Sequence, residues 1–189
     1  MTLTGLDGRT GPTGLAALAY TLDPIVEPVL IEEFAALWTD VSNAGGSVGF
    51  VPPVTVDDIR PELDKHLAAA AEGRSRLLVG RDAAGRVRSA AVIAPNQHRL
   101  QRHWVWVYTV MVDPALQGRG AGRALMAAVA DAARTIEGIE AIRLGCRGGT
   151  GLERFYEACG YREVGRVPGA IRVAPGDDRD DITLVLPLY

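Results

Sequence analysis

The sequence predicts one α/β (α+β) domain: a mixed, mainly antiparallel sheet flanked by helices, with one parallel strand pair. Three observations carry this reading. Apolar residues recur at helical spacing from Ile25 to Val41 and from Leu63 to Ala70, and at strand density from Arg76 to Ala94 and from Trp104 to Val112. A strand, a glycine loop, a helix and a further strand then follow one another from Trp104 to Leu144; such a crossover unit sets its two strands parallel. The 189 residues, 48% apolar and 23% charged, suffice for one compact core and fall short of two ordinary ones.

Residues 1–12 read as a flexible tail, which leaves 13–189 as the single domain. Thr13 to Leu22 suits a first strand, though Leu15, Ala16, Ala17 and Leu18 would equally serve a helix. Leu30, Phe34, Leu37 and Val41 mark one face of the first clear helix, which Asn43 to Gly46 stops. Thr55 stands three residues before Asp58, as a capping box requires, and Leu63, Leu67 and Ala70 continue the stripe of a second helix to Glu72. Pro61 fits that helix only near its first turn or at a kink. Arg76 to Asp82 and Val87 to Ala94 form a hairpin about Ala83 to Arg86, and the aromatic and β-branched run Trp104 to Val112 is a third strong strand. Leu125, Val129, Ala132 and Ile136 predict a helix ending at Gly138, and Ala141 to Leu144 a short buried strand. A short helix at Leu152 to Ala158, then strands at Tyr161 to Val167 and Ile182 to Leu186 around a polar loop Pro175 to Asp181, complete the chain.

Composition excludes several function classes. Twenty basic against 23 acidic residues give a net charge of −3, so no basic field draws a nucleic-acid backbone or an anionic membrane. A small-molecule or protein partner fits better. Two cysteines, Cys146 and Cys159, are too few for a disulfide framework and lie too far apart for a metal pair. No metal site is expected, and both read as structural thiols. The start of the chain lacks the basic and apolar regions of a signal peptide, and no apolar run is long enough to span a bilayer. The expected location is the cytoplasm.

The loop Gln117, Gly118, Arg119, Gly120, Ala121, Gly122, Arg123 joins a strand directly to an amphipathic helix. Glycines let the backbone approach an anion, successive N–H groups point at it, and the helix N-terminus adds partial positive charge. A Walker A loop needs Gly-Lys-Ser/Thr where this chain has Gly122, Arg123 and Ala124. A dinucleotide fingerprint needs G-x-G-x-x-G where the chain has G-x-G-x-G, and it would not follow a hairpin. Dinucleotide binding stays as the weaker alternative.

Val112 and Pro114, followed by Gln117, Gly120 and Gly122, make the pattern V-x-P before Q/R-x-x-G-x-G/A. It resembles the acetyl-CoA motif of GNAT acetyltransferases, and Phe155, Tyr156, Gly160 and Tyr161 look like that family's downstream F-Y-x-x-x-G-F/Y segment. The order of elements from about Ile25 onward is similar too. Ala44 to Phe50 and Val164 to Gly169 also look similar to tabtoxin-resistance acetyltransferases, a shorter resemblance.

The resemblance implies a GNAT-like sheet whose parallel pair splays apart to hold acetyl-CoA. It places the pyrophosphate on the loop from Gln117 through Gly118, Arg119, Gly120, Ala121 and Gly122 to Arg123, and the pantetheine along Val110, Met111 and Val112. It also implies an oxyanion-stabilising N–H at about Met111, and Tyr156 beside the cofactor as the acid that protonates the departing thiolate. The implied reaction is transfer of acetyl to a primary amine of a small molecule by direct attack in a ternary complex. A protein N-terminal or lysine acetyltransferase and a non-catalytic acyl-CoA-binding domain are the alternatives, and homodimers are common in the family.

The proton acceptor is not legible. Many family members carry a Glu on the strand before the glycine loop, and Trp104 to Thr109 has no carboxylate. His103, His98, Glu33, Asp180 and Asp181 are the candidates. Trp104, Trp106 and Tyr108 share one face of their strand. With Trp38 and Phe50, Trp106 and Tyr108 are the expected acceptor-binding residues, although ordinary core packing explains such a strand equally well. The acidic run Asp177 to Asp181 either attracts a cationic amine or is a solvated turn.

Overall fold

The computed structural model of the protein describes residues 18–189; the tail at 1–12 and the start of the Thr13 to Leu22 segment lie outside them. The elements in chain order are β1 (Ala19–Leu22), α1 (Pro28–Asn43), α2 (Val56–Ala71), β2 (Arg76–Arg81), β3 (Val87–Pro95), β4 (Trp104–Val112), α3 (Ala121–Arg134), β5 (Ala141–Arg147), α4 (Leu152–Glu157), β6 (Arg162–Ala174) and β7 (Asp177–Pro187). They form a seven-stranded sheet in the order β1-β2-β3-β4-β5-β7-β6. Among the described residues only β4 and β5 run parallel; the other five pairings are antiparallel. A doubly wound dinucleotide sheet needs a series of parallel strands, so this topology rules out that alternative.

Local chemistry sets the ends of the helices. Pro28 opens α1 in the first turn, where its missing N–H costs nothing. Thr55 and Asp58 close the capping box of α2, with Asp58 Oδ2 accepting from Thr55 N–H at 2.8 Å. Pro61 sits inside α2, beyond the first turn. The third helix stops at Arg134, earlier than the apolar pattern suggested, because Thr135 and Ile136 bond three residues back in tighter turns.

Leu78 faces one core and its neighbours Leu77 and Val79 the other, so the sheet is a middle layer with helices on both faces. One core packs Val105, Val107, Ile142, Leu144, Ile182 and Leu184 under Leu125, Val129 and Tyr156 of α3 and α4. The other packs Leu77, Val79, Ala90, Val92 and Met111 under Phe34, Trp38, Ile59 and Leu63 of α1 and α2.

The predicted loop Pro175 to Asp181 is instead mostly strand. The chain reverses at Gly176, and Asp177 to Asp181 begin β7, opposite Ala174, Arg172, Ile171 and Val167 of β6. Cross-strand charge explains the difference: Arg172 pairs with Asp178 at 2.7 Å and Arg166 with Asp180 at 2.8 Å. Three of the acidic residues of this run are thus committed to arginines, with Asp177 on Arg179 as the third.

Val92 lies opposite Tyr108 and Ala90 opposite Met111, so Thr109 and Val110 together face the single residue Ala91. This is a β-bulge, and Thr109 takes a left-handed φ of 51° within it. The extra residue exchanges the faces of the strand: Val105 and Val107 point to the α3 side before it, Val110 and Val112 after it, and Met111 to the α1–α2 core. Parallel pairing of β4 with β5 ends at Val107 and Leu144. Beyond that point β5 pairs only with β7, through Gly145, Cys146 and Arg147, and a wedge opens between β4 and β5.

Candidate active site

A cleft of about 1280 Å³ passes through this wedge, so it reaches both faces of the sheet. On the α3 side its wall is the glycine loop, with Gln117, Gly118, Gly120, Gly122 and Arg123, together with Phe155 and Tyr156 of α4. Val110 and Val112 line it from β4, and Leu144, Gly145 and Cys146 from β5.

The loop conformation depends on glycine at two positions. Gly118 and Gly120 have φ of 70° and 91°, and a Cβ on either would meet nothing within 4 Å. Backbone conformation, not crowding, therefore selects glycine there. Gly120 is the N-cap of α3, and Ala124 is the first residue to donate back, to the Gly120 carbonyl at 3.1 Å. The N–H groups ahead of it have no intrahelical acceptor and are left for a ligand anion. Gly122 differs: a Cβ there would lie 3.1 Å from the Phe155 ring, so that glycine lets α4 close on the start of α3.

The strand ladder orients the polar main chain of the wedge. Asp113 N–H donates to Arg88 at 2.8 Å, so by alternation the N–H of Met111, two residues earlier, also points to β3. The main-chain groups of Val110 and Val112 are left on the β5 side. Gln117 Nε2 donates to the Val112 carbonyl at 3.0 Å and ties the glycine loop to the strand. Among the residues expected at the cofactor, Met111 is fully buried outside the cleft lining, as its face of the strand requires. Arg119 and Ala121 are also outside the lining: Arg119 is exposed, and Ala121 is buried in the first turn of α3.

Left-handed glycines, free helix-terminal N–H groups, Arg123 and a splayed strand with unpaired main chain fit a long ligand ending in phosphates. The family comparison decides the point. Residues 49–161 match the model of the acetyltransferase (GNAT) family, more than half of the chain.

The chain belongs to the GNAT acetyltransferase family.

It is an acyl-CoA-dependent N-acetyltransferase with acetyl-CoA as donor. Solved structures agree on the fold. The chain is similar to the Salmonella typhimurium yncA protein with its cofactor acetyl-CoA, at 20% identity and a TM-score of 0.69, covering 90% of this chain and 94% of that one. A GCN5-related N-acetyltransferase from Kribbella flavida shows 25% identity and a TM-score of 0.67, covering 90% and 98%. A spermidine N-acetyltransferase SpeG chimera from Vibrio cholerae and hSSAT shows 19% and 0.69, covering 89% and 95%. No curated protein sequence matches the chain.

In this acetyltransferase the α3 side of the wedge presents Tyr156. The residue is 6% exposed, and its ring packs edge-on against Phe155 at 5.1 Å and Tyr161 at 5.8 Å. Burial holds the phenol protonated far above its ordinary range, with Cys146 and Cys159 adding to the effect. Cys146 is a buried free thiol pushed up to about 11, mainly by burial, and is neutral at physiological pH.

The opposite end of the cleft lies on the α1–α2 face. Trp38, Phe50, Trp106 and Tyr108 all line it, with the loop Ala44 to Val51 and with Ile171 to Val173 of β6. Trp38 is nearly buried, and its Nε1 donates to the Val48 carbonyl at 2.8 Å, fixing both ring and loop. Phe50 stands edge-on to Trp38 at 5.7 Å. Trp106 stacks on Tyr108 at 5.9 Å, while Trp104 lies outside the lining. The Arg143 guanidinium sits 4.6 Å from both the Trp104 and Trp106 ring centres, which holds the aromatic row in place.

Of the five candidate proton acceptors only Asp181 reaches the cleft. His98 caps a short turn by accepting from Leu100, Glu33 pairs with Arg81 at 3.0 Å, and Asp180 pairs with Arg166. His103 precedes β4, where its carbonyl accepts from Glu140 at 2.6 Å. His66, which is not among those five, lines the cleft from α2. Its Nε2 lies 3.3 Å from Thr109 Oγ1, and its ring lies 5.6 Å from Trp38. His66 stands three residues after Leu63 and seven after Ile59, a spacing that places it on the buried face of its helix without marking it as a site residue. Burial lowers its pKa, with Glu62 opposing.

Proposed function

We propose that this enzyme transfers acetyl from acetyl-CoA to the primary amine of a small molecule, by direct attack while both substrates are bound. The observation carrying this is a continuous cleft through the sheet, with the anion-ready glycine loop on one face and an aromatic pocket on the other. The bound thioester supplies the electrophilic carbonyl. The loop N–H groups and Arg123 hold the pyrophosphate, and the main chain of Val110 and Val112 pairs with the pantetheine. Strand alternation favours Val110, in place of Met111, as the N–H that steadies the oxyanion. Tyr156, kept protonated by burial, gives its proton to the departing thiolate.

A small acceptor is favoured over a peptide because Trp38, Phe50, Trp106 and Tyr108 line the acceptor end and the Ala44 to Val51 loop walls it. That loop is one of the two segments similar to tabtoxin-resistance acetyltransferases. Two free cysteines and an acetyl-CoA donor suit a cytoplasmic setting. Among the described residues no helix is long and apolar enough to cross a membrane. The test is amine-dependent release of CoA thiol, with small primary amines and lysine-containing peptides side by side. Release with small amines alone supports this reading, and release with peptides alone overturns the acceptor class.

A further inference from the structure

The unassigned task in this chemistry is removal of the proton from the attacking amine. We propose that His66 accepts that proton and that Thr109 is the positioning residue that aims its imidazole. This rests on the acetyltransferase reading above and deepens it.

The geometry points there in three steps. Val110, the proposed oxyanion donor, is adjacent in the chain to Thr109, and both residues line the cleft. The Thr109 hydroxyl is 3.3 Å from His66 Nε2. The bulge makes this possible: Thr109 takes a φ of 51°, which few residues other than glycine adopt, and that conformation places the hydroxyl on the imidazole instead of in the regular alternation of β4. A feature costly to the backbone at the centre of the wedge suits a functional role.

His66 and Tyr156 also reach the cleft from opposite faces of the sheet. The first belongs to α2 on the Trp38 side, and the second is part of the α3–α4 core. An amine entering from the aromatic pocket attacks on the His66 side, and the sulfur departs on the Tyr156 side. The amine nitrogen forms its bond to the acyl carbon and gives a proton to His66. The carbon–sulfur bond breaks, and the thiolate takes the Tyr156 phenol proton, giving amide and CoA thiol.

The charged and titratable groups around the imidazole are few. Glu62 and Lys65 lie on its own helix, and Tyr108, Arg147, Arg172 and Asp181 line the same cleft from β4, β5, β6 and β7. Trp38 of α1 packs its ring face and carries no charge. Burial favours the neutral imidazole, the form able to accept a proton.

The experiment measures kcat/KM for amine-dependent CoA release against pH in the wild type, His66→Asn, Thr109→Val and Thr109→Ser. Each protein is also titrated calorimetrically with acetyl-CoA. The proposal expects a roughly 100-fold lower rate and a lost acidic limb in His66→Asn, with unchanged acetyl-CoA affinity. It expects a smaller loss in Thr109→Val, largely restored in Thr109→Ser. An unchanged rate and acidic limb in His66→Asn would overturn it while leaving the acetyltransferase reading intact; a wild type that binds acetyl-CoA and releases no CoA with any amine would overturn both. If His66→Asn does not fold, NMR titration of the His66 ring in the wild type decides, since its midpoint must coincide with the acidic limb of the rate profile. A mismatch overturns the proposal.

Discussion

The ring of Phe155 lies against Gly122, and a Cβ built on that glycine would come within 3.1 Å of Phe155 Cζ. This contact joins the two recognisable motifs of the chain, the glycine loop and the Phe155–Tyr156 segment. It shows that the three loop glycines do different work. Gly118 and Gly120 permit left-handed backbone, while Gly122 permits the approach of α4 that seats Tyr156 at the cleft.

Gly120→Ala and Gly122→Val should therefore fail differently. Alanine at φ 91° strains the backbone by about 1–2 kcal/mol and misdirects the loop N–H groups, so acetyl-CoA affinity falls with a small drop in Tm. Valine at position 122 pushes Phe155 away, so Tm falls further and turnover is lost with the displaced Tyr156. Calorimetry and thermal melting on both variants check this; equal behaviour of the two would contradict it.

Tyr156→Phe should lower kcat about 100-fold while leaving acetyl-CoA affinity near its wild-type value. Because burial keeps the phenol protonated far above its ordinary range, the wild-type rate should not fall at alkaline pH through loss of this acid. Rates measured up to about pH 9.5 test the second half, since an ordinary phenol ionises near 10.

The glycine loop and the parallel pair were legible because glycine, turn and helix signals are local and sit at fixed spacing. Trp106 and Tyr108 were legible as one face of a strand. Three features depend on tertiary geometry and were not. The bulge at Thr109 and Val110 reverses the faces of β4, so Met111, the residue the family resemblance implied, turns its N–H to β3 and its side chain into the core. The hairpin of β6 and β7 is held by arginine–aspartate pairs across the strands, and a run of aspartates alone reads as a loop. His66 sits on an apolar helix face, and only the packing of α2 against Trp38 and Thr109 brings it to the cleft.

Trp106→Ala should raise the KM for the amine by about tenfold or more, from lost aromatic burial, and leave acetyl-CoA affinity unchanged. It also removes one of the two rings flanking Arg143. Steady-state kinetics with the best amine would contradict the pocket assignment if KM were unaltered.

His66 should also leave a mark on stability. Burial lowers its pKa from the ordinary 6.5. Between the lowered value and 6.5 the unfolded chain binds more protons than the folded protein, so stability rises with pH there and is lost as pH falls through that window. Tm followed from about pH 7.5 down to about pH 5 should decline more steeply in the wild type than in His66→Asn. Parallel declines would show that the imidazole is not held neutral by the fold.

The acetyl-CoA site is tested most directly by calorimetric titration of the intact protein with acetyl-CoA, beside a variant with bulky residues at both Gly120 and Gly122. One saturable site in the intact protein, lost in the variant, is the predicted result. Absence of binding to the intact protein, or equal binding to the variant, would contradict the assignment of the wedge and its glycine loop as the acetyl-CoA site.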